Sequence, residues 1–239
     1  VARRFAIHRQ IMALPDFLAK PIFHIVYEIM RRQRGSPIPA TTRKVKMPAD
    51  EKRLAFDALL DSALQSGPNS PISYNLPYPK AEFLFYICDW RGFVVHGSPM
   101  HDLETLEPIR KSGDDNEFGN RQQIFCSPDA AWAMWFAILD KGKFNLTSNG
   151  CVRVGVGNKR VKYYHFELPK QNRANQPFTN GMIYICRAED FPDKRAFPML
   201  DRFNGEVEEW GSTKPVKPLA KIPVSPNDFP YLDKVQFSL

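Results

Sequence analysis

The sequence has little of what would mark a membrane protein, a secreted protein or a P-loop nucleotide-binding protein. No run approaches the roughly 18 uninterrupted apolar residues that a membrane helix needs. The first residues lack a signal peptide's charged start, apolar run and small-residue cleavage site. There is no P-loop, and Gly155-Val156-Gly157 leads into a strand-like run, which predicts a hairpin turn and not a dinucleotide loop. We therefore expect a cytoplasmic protein without a transmembrane segment.

Cysteine is scarce, and its placement argues against a disulfide framework. The chain has no Cys-x-x-Cys pair and no neighbouring histidine cluster, and its four cysteines are widely spaced, at Cys88, Cys126, Cys151 and Cys186. This spacing favours buried reduced thiols, with a structural disulfide or a metal site as the alternatives. It also disfavours a Cys-His hydrolase built on Cys126, because no activating constellation is evident from the spacing.

The charge is concentrated at the N-terminus. Residues 1–60 hold 12 Lys and Arg against 5 Asp and Glu, whereas residues 61–239 hold 21 of each, so this quarter carries the net charge of +7. Such a region can be a solvated basic face, or it can bind nucleic acid, an anionic membrane surface or a protein partner. Because no nucleic-acid reading motif accompanies the charge, we expect at most weak polyanion binding through residues 1–60.

Hydrophobic periodicity predicts a basic helical N-terminal region over residues 1–70 and a larger body over residues 80–239. One amphipathic helix follows Pro21, and a second follows Asp50 and ends at Gly67-Pro68. The clearest helix has Ser127 as its N-cap and Pro128 at its first position, and residues 130–139 are almost wholly apolar. A helix that is apolar on all sides is buried.

Short apolar runs separated by turn residues predict strands in the body. Residues 82–88 and 93–96, with Asp89-Trp90-Arg91-Gly92 between them, are typical of a hairpin. Further strands are predicted over residues 123–126, 151–156, 161–168, 182–186 and 215–224. The content of 43% hydrophobic and 13% aromatic residues is enough for one substantial core. These patterns predict an α+β protein.

Three short motifs follow one another in this body. They are Phe93-Val94-Val95-His96-Gly97-Ser98, then Gln123-Ile124-Phe125-Cys126-Ser127, then Glu206-Val207-Glu208-Glu209-Trp210. An imidazole at a strand end can hydrogen-bond a ribose hydroxyl, and a glycine beside it lets the backbone approach a flat carboxamide ring. A carboxylate near that ribose can stabilise an oxocarbenium-like state.

In this order the motifs resemble the His, aromatic, Glu signature of the ADP-ribosyltransferase superfamily, in a degenerate form. The resemblance implies an ADP-ribosyltransferase-like split β-sandwich, NAD as substrate and an unknown macromolecular acceptor. It implies that His96 holds the ribose and that the backbone of Gly97, with Ser98 beside it, meets the nicotinamide. By the same resemblance, Phe125 matches the position at which the family has a tyrosine, so this chain has the aromatic ring there without the hydroxyl. The resemblance further implies an aromatic stack on nicotinamide from Trp135 or Phe136, and a pyrophosphate contact from Arg110.

The same resemblance assigns the carboxylate role to Glu209 first, because Trp210 follows it as in the Glu-aromatic pair of the poly-type enzymes. Glu206 and Glu208 are the alternatives, since they match the Glu-x-Glu of arginine-modifying toxins. The leading hypothesis is NAD-dependent ADP-ribosyl transfer or NAD glycohydrolysis. A non-catalytic module that binds NAD, ADP-ribose or a protein is the alternative, and RNA 2′-phosphate transfer to NAD is a third. Residues 93–229 are also similar to a set of bacterial proteins to which no function is attached.

Overall fold

A computed structural model describes residues 41–42, 47–109, 117–143, 147–154, 161–195 and 205–237. Arg110 and the predicted helix after Pro21 lie outside these ranges. Within them the chain is α+β. Its helices are α1 (Asp50–Gln65), α2 (Lys80–Asp89), α3 (Glu117–Asn120) and α4 (Ala130–Ile138). Its strands are β1 (Thr41–Thr42), β2 (Ser70–Pro71), β3 (Val94–Ser98), β4 (Ile124–Cys126), β5 (Ser148–Val154), β6 (Val161–Leu168), β7 (Gly181–Cys186), β8 (Asp193–Lys194), β9 (Gly205–Val207), β10 (Trp210–Ser212), β11 (Ala220–Val224) and β12 (Gln236–Phe237).

The strands form three sheets. The long sheet has the order β1-β6-β5-β9, and β12 also pairs with β6. The central sheet has the order β2-β11-β7-β3, and the short sheet has the order β4-β10-β8. The central sheet is antiparallel except where β2 runs parallel to β11. A single bridge between Val95 and Ser127 links the central sheet to the short sheet.

Helix α4 is the centre of the main core, as its all-apolar sequence predicts. Trp135 is fully buried and its ring lies 5.0 Å from that of Phe166 in the long sheet. The other side of the helix packs on β3 and β7 of the central sheet. The helix begins at Ala130 and not at Pro128, because Asp129 and not Ser127 is the N-cap: the Asp129 carboxylate accepts a hydrogen bond from the Trp132 amide at 2.9 Å.

Two glycines let the central sheet touch the backbone of α4. A Cβ built on Gly97 would overlap the carbonyl oxygen of Ala133, and one built on Gly181 would overlap that of Ala137. These two alanines lie one helical turn apart on the same face of α4. Strands β3 and β7 are therefore fixed against one side of the helix at closer range than any side chain permits.

Helix α1 confirms the helix predicted after Asp50. Its buried residues Phe56, Leu60 and Ala63 belong to the same hydrophobic cluster as the residues of α4. The predicted N-terminal region of residues 1–70 therefore includes a helix that is part of the core of the body. All four cysteines are buried as free thiols, as their spacing favours. Burial raises the pKa of Cys88, Cys126 and Cys151.

One predicted element is wrong, and another is confirmed only in part. Residues 80–89 form helix α2 and not the first strand of a hairpin, and Gly92, with φ of 74°, turns the chain from α2 into β3. Six of the ten residues of α2 are buried, so no polar stripe is present to reveal the helical period. The strand predicted over residues 215–224 is confirmed only in its second half, because β11 begins at Ala220.

The other predicted strands are confirmed, with ends shifted by a few residues. Residues 161–168 match β6, and the remaining predictions match β4, β5 and β7. The turn predicted at residues 155–157 lies outside the described residues, although β5 and β6 pair antiparallel on either side of it. Among the helices of the described ranges, none combines the length and the apolar character that crossing a bilayer requires.

Candidate functional site

The candidate site lies where strands β3 and β4 separate. Val95 exchanges both backbone hydrogen bonds with Ser127, each with an N···O distance of 2.9 Å. Backbone groups alternate between the two edges of a strand, so the N–H and C=O of Gly97 point to the same edge as those of Val95, away from β7. Continued pairing would set Gly97 opposite Phe125, but the Val95–Ser127 bridge is isolated. The two strands therefore part at Gly97 and Phe125.

His96 connects the two strands at this point. Its Nδ1 lies 2.7 Å from the carbonyl oxygen of Phe125, so Nδ1 carries the proton and donates to that oxygen. The imidazole is half-buried and lies beside Tyr184, with 6.2 Å between ring centroids. A fixed tautomer and a fixed ring orientation are what a histidine needs to recognise a ligand hydroxyl. Two of the three predicted motifs are thus in direct contact.

Ser98 ends strand β3 and is buried. Its hydroxyl accepts a hydrogen bond from the Met100 amide at 3.1 Å, which turns the chain into the following loop. Phe125 is half-buried, and its ring lies 6.0 Å from that of Phe118 in an edge-to-face arrangement. The Phe125 ring projects from the face of the short sheet opposite to Ile124 and Cys126, which belong to a second hydrophobic cluster.

The acidic motif crosses from one sheet to another. Glu206 lies in β9 of the long sheet, Trp210 begins β10 of the short sheet, and Glu208 and Glu209 lie between them. Trp210 pairs with Cys126, so the chain at Glu209 comes level with Ser127 on the outer edge of β4. The Ser127 hydroxyl also donates to the Glu208 carbonyl oxygen at 2.6 Å. The third motif is therefore on the strand next to the second.

Glu208 and Glu209 each form an ion pair with an arginine that lies outside the three motifs. Glu208 is almost fully buried and forms an ion pair with Arg153, which also lies 3.7 Å from Glu206. Glu209 forms an ion pair of 2.8 Å with Arg195, and its side chain is 14% exposed. A buried carboxylate paired with a guanidinium fixes the chain more than it performs chemistry. Glu209 is more accessible than Glu208, and Glu206 is half-exposed.

The predicted stacking aromatics have different environments. Trp135 is enclosed by protein rings, at 5.0 Å from Phe166, 6.2 Å from Phe178 and 6.0 Å from Phe229. A ligand could reach Trp135 only by displacing one of them, so this residue belongs to the core. Phe136 is only partly buried and lies 6.4 Å from Trp132. Its predicted stacking on nicotinamide stays a prediction.

A buried charged network surrounds Asp129, the N-cap of α4, and none of the three motifs contains it. Lys162 on β6 lies 2.8 Å from Asp129 and 3.2 Å from Asp89, and Tyr164 donates to Asp129 at 2.7 Å. Burial by itself would raise the pKa of Asp129, but Lys162 and hydrogen bonds from Trp132 and Tyr164 hold that pKa below its ordinary value. Burial would lower the pKa of Lys162, yet the two carboxylates raise it. The sequence did contain one indication that Lys162 is buried, because it shares one face of β6 with Tyr164 and Phe166.

The predicted residues are thus only partly brought together. His96 contacts Phe125, Gly97 presents its backbone at the same edge, and Glu209 lies one strand further away. Glu206 belongs to the long sheet, and Trp135 belongs to the core. That His96, Phe125 and a glutamate line one cleft stays a prediction. Comparison with protein-family models, with curated proteins and with solved structures gave no match to this chain.

Proposed function

We propose that the chain binds NAD at the backbone edge of Gly97 that faces away from β7 and transfers ADP-ribose or hydrolyses NAD, on an ADP-ribosyltransferase-like split β-sandwich. The observation that carries the proposal is the isolated Val95–Ser127 bridge, beyond which β3 and β4 separate beside His96. A backbone N–H and C=O on one strand edge match the C=O and NH₂ of a carboxamide, which is the group that distinguishes nicotinamide.

The neighbouring side chains suit the rest of such a ligand. His96 is oriented by its bond to the Phe125 carbonyl, which supports its role towards a ribose hydroxyl. The half-buried ring of Phe125 supplies an apolar surface for the nicotinamide ribose. Because Phe125 has no hydroxyl, the hydrogen bond that a tyrosine would make there is missing.

The proposed reaction breaks the bond between nicotinamide nitrogen and ribose C1′. The bonding electrons leave with neutral nicotinamide, and positive charge develops on the ribose as an oxocarbenium-like species. Water or an acceptor nucleophile then bonds to C1′ and loses a proton. A carboxylate near C1′ lowers the barrier because it interacts more strongly with the developing cation than with the ground state.

Glu209 is the best candidate for this carboxylate. Glu208 is buried and held by Arg153, and Glu206 extends from β9 in a different sheet. Glu209 immediately precedes β10, the strand that pairs with Phe125, and keeps part of its side chain exposed. Its ion pair with Arg195 would position the carboxylate, but it also neutralises part of the charge that the chemistry requires.

That ion pair supports the second candidate function, a module that binds NAD or ADP-ribose without turnover. A carboxylate already satisfied by a guanidinium offers less to a developing cation than one without such a partner. The absence of a tyrosine hydroxyl at Phe125 points the same way. Binding and catalysis are therefore separated by experiment.

Binding is tested by thermal unfolding of the full chain with NAD, ADP-ribose or nicotinamide. A ligand at 100 times its dissociation constant adds about 2.7 kcal/mol to the free energy of unfolding. No stabilisation by any of the three would refute both candidates. Stabilisation by NAD with no nicotinamide released over hours would leave the binding module.

Catalysis is tested by Glu209→Gln, with Glu206→Gln as the matched control on a half-exposed glutamate of the same segment. Glu209→Gln should lower nicotinamide release by about two orders of magnitude and leave NAD affinity nearly unchanged, because the lost interaction forms mainly in the transition state. Glu206→Gln should change neither quantity. Equal release rates for both variants and the wild type would exclude the proposed role of Glu209.

A further inference from the structure

Tyr184 lies directly beside His96 on the neighbouring strand. The two residues are partners in the β3–β7 register, so their side chains project from the same face of the central sheet. Their ring planes meet at 45° with centroids 6.2 Å apart. Tyr184 is fully buried, and burial raises its pKa, so the phenol keeps its proton. One wall of the imidazole is therefore a rigid, neutral ring.

The hydroxyl of Tyr184 holds the loop that follows the His-Gly-Ser strand, residues 99–109. It donates to the Met100 carbonyl oxygen at 2.7 Å and accepts from the Leu103 amide at 3.1 Å. The Leu103 carbonyl also accepts a hydrogen bond from the Asn69 side chain at 3.0 Å, and Leu106 exchanges two backbone hydrogen bonds with Val216. Between Ser98 and Leu106, the Tyr184 hydroxyl thus binds the loop backbone at two points three residues apart.

We propose that Tyr184 is a positioning residue of the candidate site, whose hydroxyl sets the place of loop 99–109 relative to His96. This inference rests on the proposed NAD site at Gly97, because Gly97 lies in β3, the strand that leads into this loop. A tyrosine needed only for core packing would require its ring and not its hydroxyl. Here the ring faces His96 and the hydroxyl makes a donor and an acceptor bond to one loop. Loop position and imidazole position therefore depend on one side chain.

The test compares Tyr184→Phe with Tyr86→Phe in the full chain. Tyr86 is the matched control, because it is also buried and its hydroxyl donates to Asp57 at 2.7 Å, away from the loop. Hydrogen exchange is measured first, without ligand, over residues 99–106. Tyr184→Phe should speed exchange of the Leu103 amide by about tenfold, because the acceptor of that amide is removed. Tyr86→Phe should leave this amide unchanged.

NAD affinity and nicotinamide release are then measured for the same variants. A displaced loop should weaken NAD binding by about tenfold while the release rate at saturating NAD stays within about twofold, since the proposal has the loop meet the ligand away from the reacting carbon. This division between binding and turnover is what distinguishes a positioning role from general destabilisation. Loss of both quantities in parallel would contradict it.

The outcomes separate this inference from the proposed function. If the wild type binds no NAD but Tyr184→Phe still speeds exchange in the loop, the NAD proposal fails and the control of the loop by Tyr184 stands. If the wild type binds NAD and Tyr184→Phe binds it equally well, the inference is overturned and the NAD proposal stands. Unchanged exchange in Tyr184→Phe overturns the inference whatever the wild type binds.

Discussion

Replacing Gly97 by alanine tests whether the candidate site owes its shape to the contact between β3 and α4. The added Cβ would lie 2.8 Å from the carbonyl carbon of Ala133 and 3.0 Å from the amide nitrogen of Ala137, and closer still to the Ala133 oxygen. All three are backbone atoms of a buried helix, so no side-chain rotation can relieve the overlap. The strand and the helix would have to move apart.

This overlap should lower the free energy of unfolding. Overpacking of a core usually costs about 1–3 kcal/mol, and we expect about 3 kcal/mol here because the added Cβ meets the helix backbone and not a flexible side chain. For a chain of this length, that corresponds to a fall in Tm of about 6–12 °C. Urea denaturation and calorimetry measure the two quantities. The matched control is Gly150→Ala in β5, where nothing lies within 4 Å of the added Cβ.

Gly150→Ala should leave the free energy of unfolding within about 0.5 kcal/mol of the wild type or raise it, since alanine restricts the unfolded chain more than glycine does. Equal stability of the two variants would refute the close approach of β3 to α4. If Gly97→Ala is destabilised but still binds NAD when folded, the glycine is needed for packing and not for the carboxamide. The substitution therefore distinguishes the two roles proposed for Gly97.

Four further predictions concern charge and the missing hydroxyl. Lys162→Met should lower the free energy of unfolding in urea by about 3–5 kcal/mol, because Asp129 loses its buried cation, whereas Lys52→Met, at an exposed pair with Glu82, should cost at most about 1 kcal/mol. Because the pKa of Asp129 is lowered in the folded state, Asp129 stabilises the fold above about pH 4 and loses this effect as the pH falls further. The free energy of unfolding should therefore decline less between neutral and acid pH in Asp129→Asn than in the wild type. A chain beginning at Met47 lacks ten of the 12 cations of residues 1–60, so it should lose all salt-dependent polyanion binding in fluorescence anisotropy but keep its NAD affinity. The truncation must not extend to residue 70, because that would remove α1 from the core. Phe125→Tyr should raise nicotinamide release if the site is a weakened enzyme, and an unchanged rate would remove Phe125 as the cause.

Elements with a strong local pattern were predictable from the sequence. Helix α4 is marked by its continuous apolar run, α1 by its helical spacing after Asp50, and β6 by Val161 and its three aromatic residues. The N-cap was predicted at Ser127 because Pro128 fits a first helical position. Ser127 is not the N-cap in the structure, because its hydroxyl donates to the carbonyl of Glu208, which is distant in sequence.

Elements that depend on distant partners were not predictable. Helix α2 is buried on most of its surface, so its sequence lacks the polar stripe that separates a helix from a strand. The network of Lys162 with Asp129 and Asp89 joins residues 33 and 73 positions apart, and no local spacing encodes such pairs.

The candidate site shows the same division. The three motifs contain His96 and Phe125, which are in contact, and Glu209, which immediately precedes the adjacent strand β10. They do not contain Arg153, Arg195 or Tyr184, because each of these becomes relevant only through a partner on another strand or loop. A sequence motif identifies the residues along one segment, and the fold determines which groups neutralise or orient them.

The crossing of residues 205–212 between two sheets has a consequence for how the chain folds. β9 pairs with β5, and three residues later β10 pairs with β4, so this one segment closes two long loops at once. Contacts of high sequence separation form slowly, because loop-closure entropy is lost before any pairing compensates it. The short sheet should therefore form later in refolding than the pairing of β5 with β6, whose partners are close in sequence. Substitutions at Ser127 or Glu208 should then speed unfolding more than they slow folding.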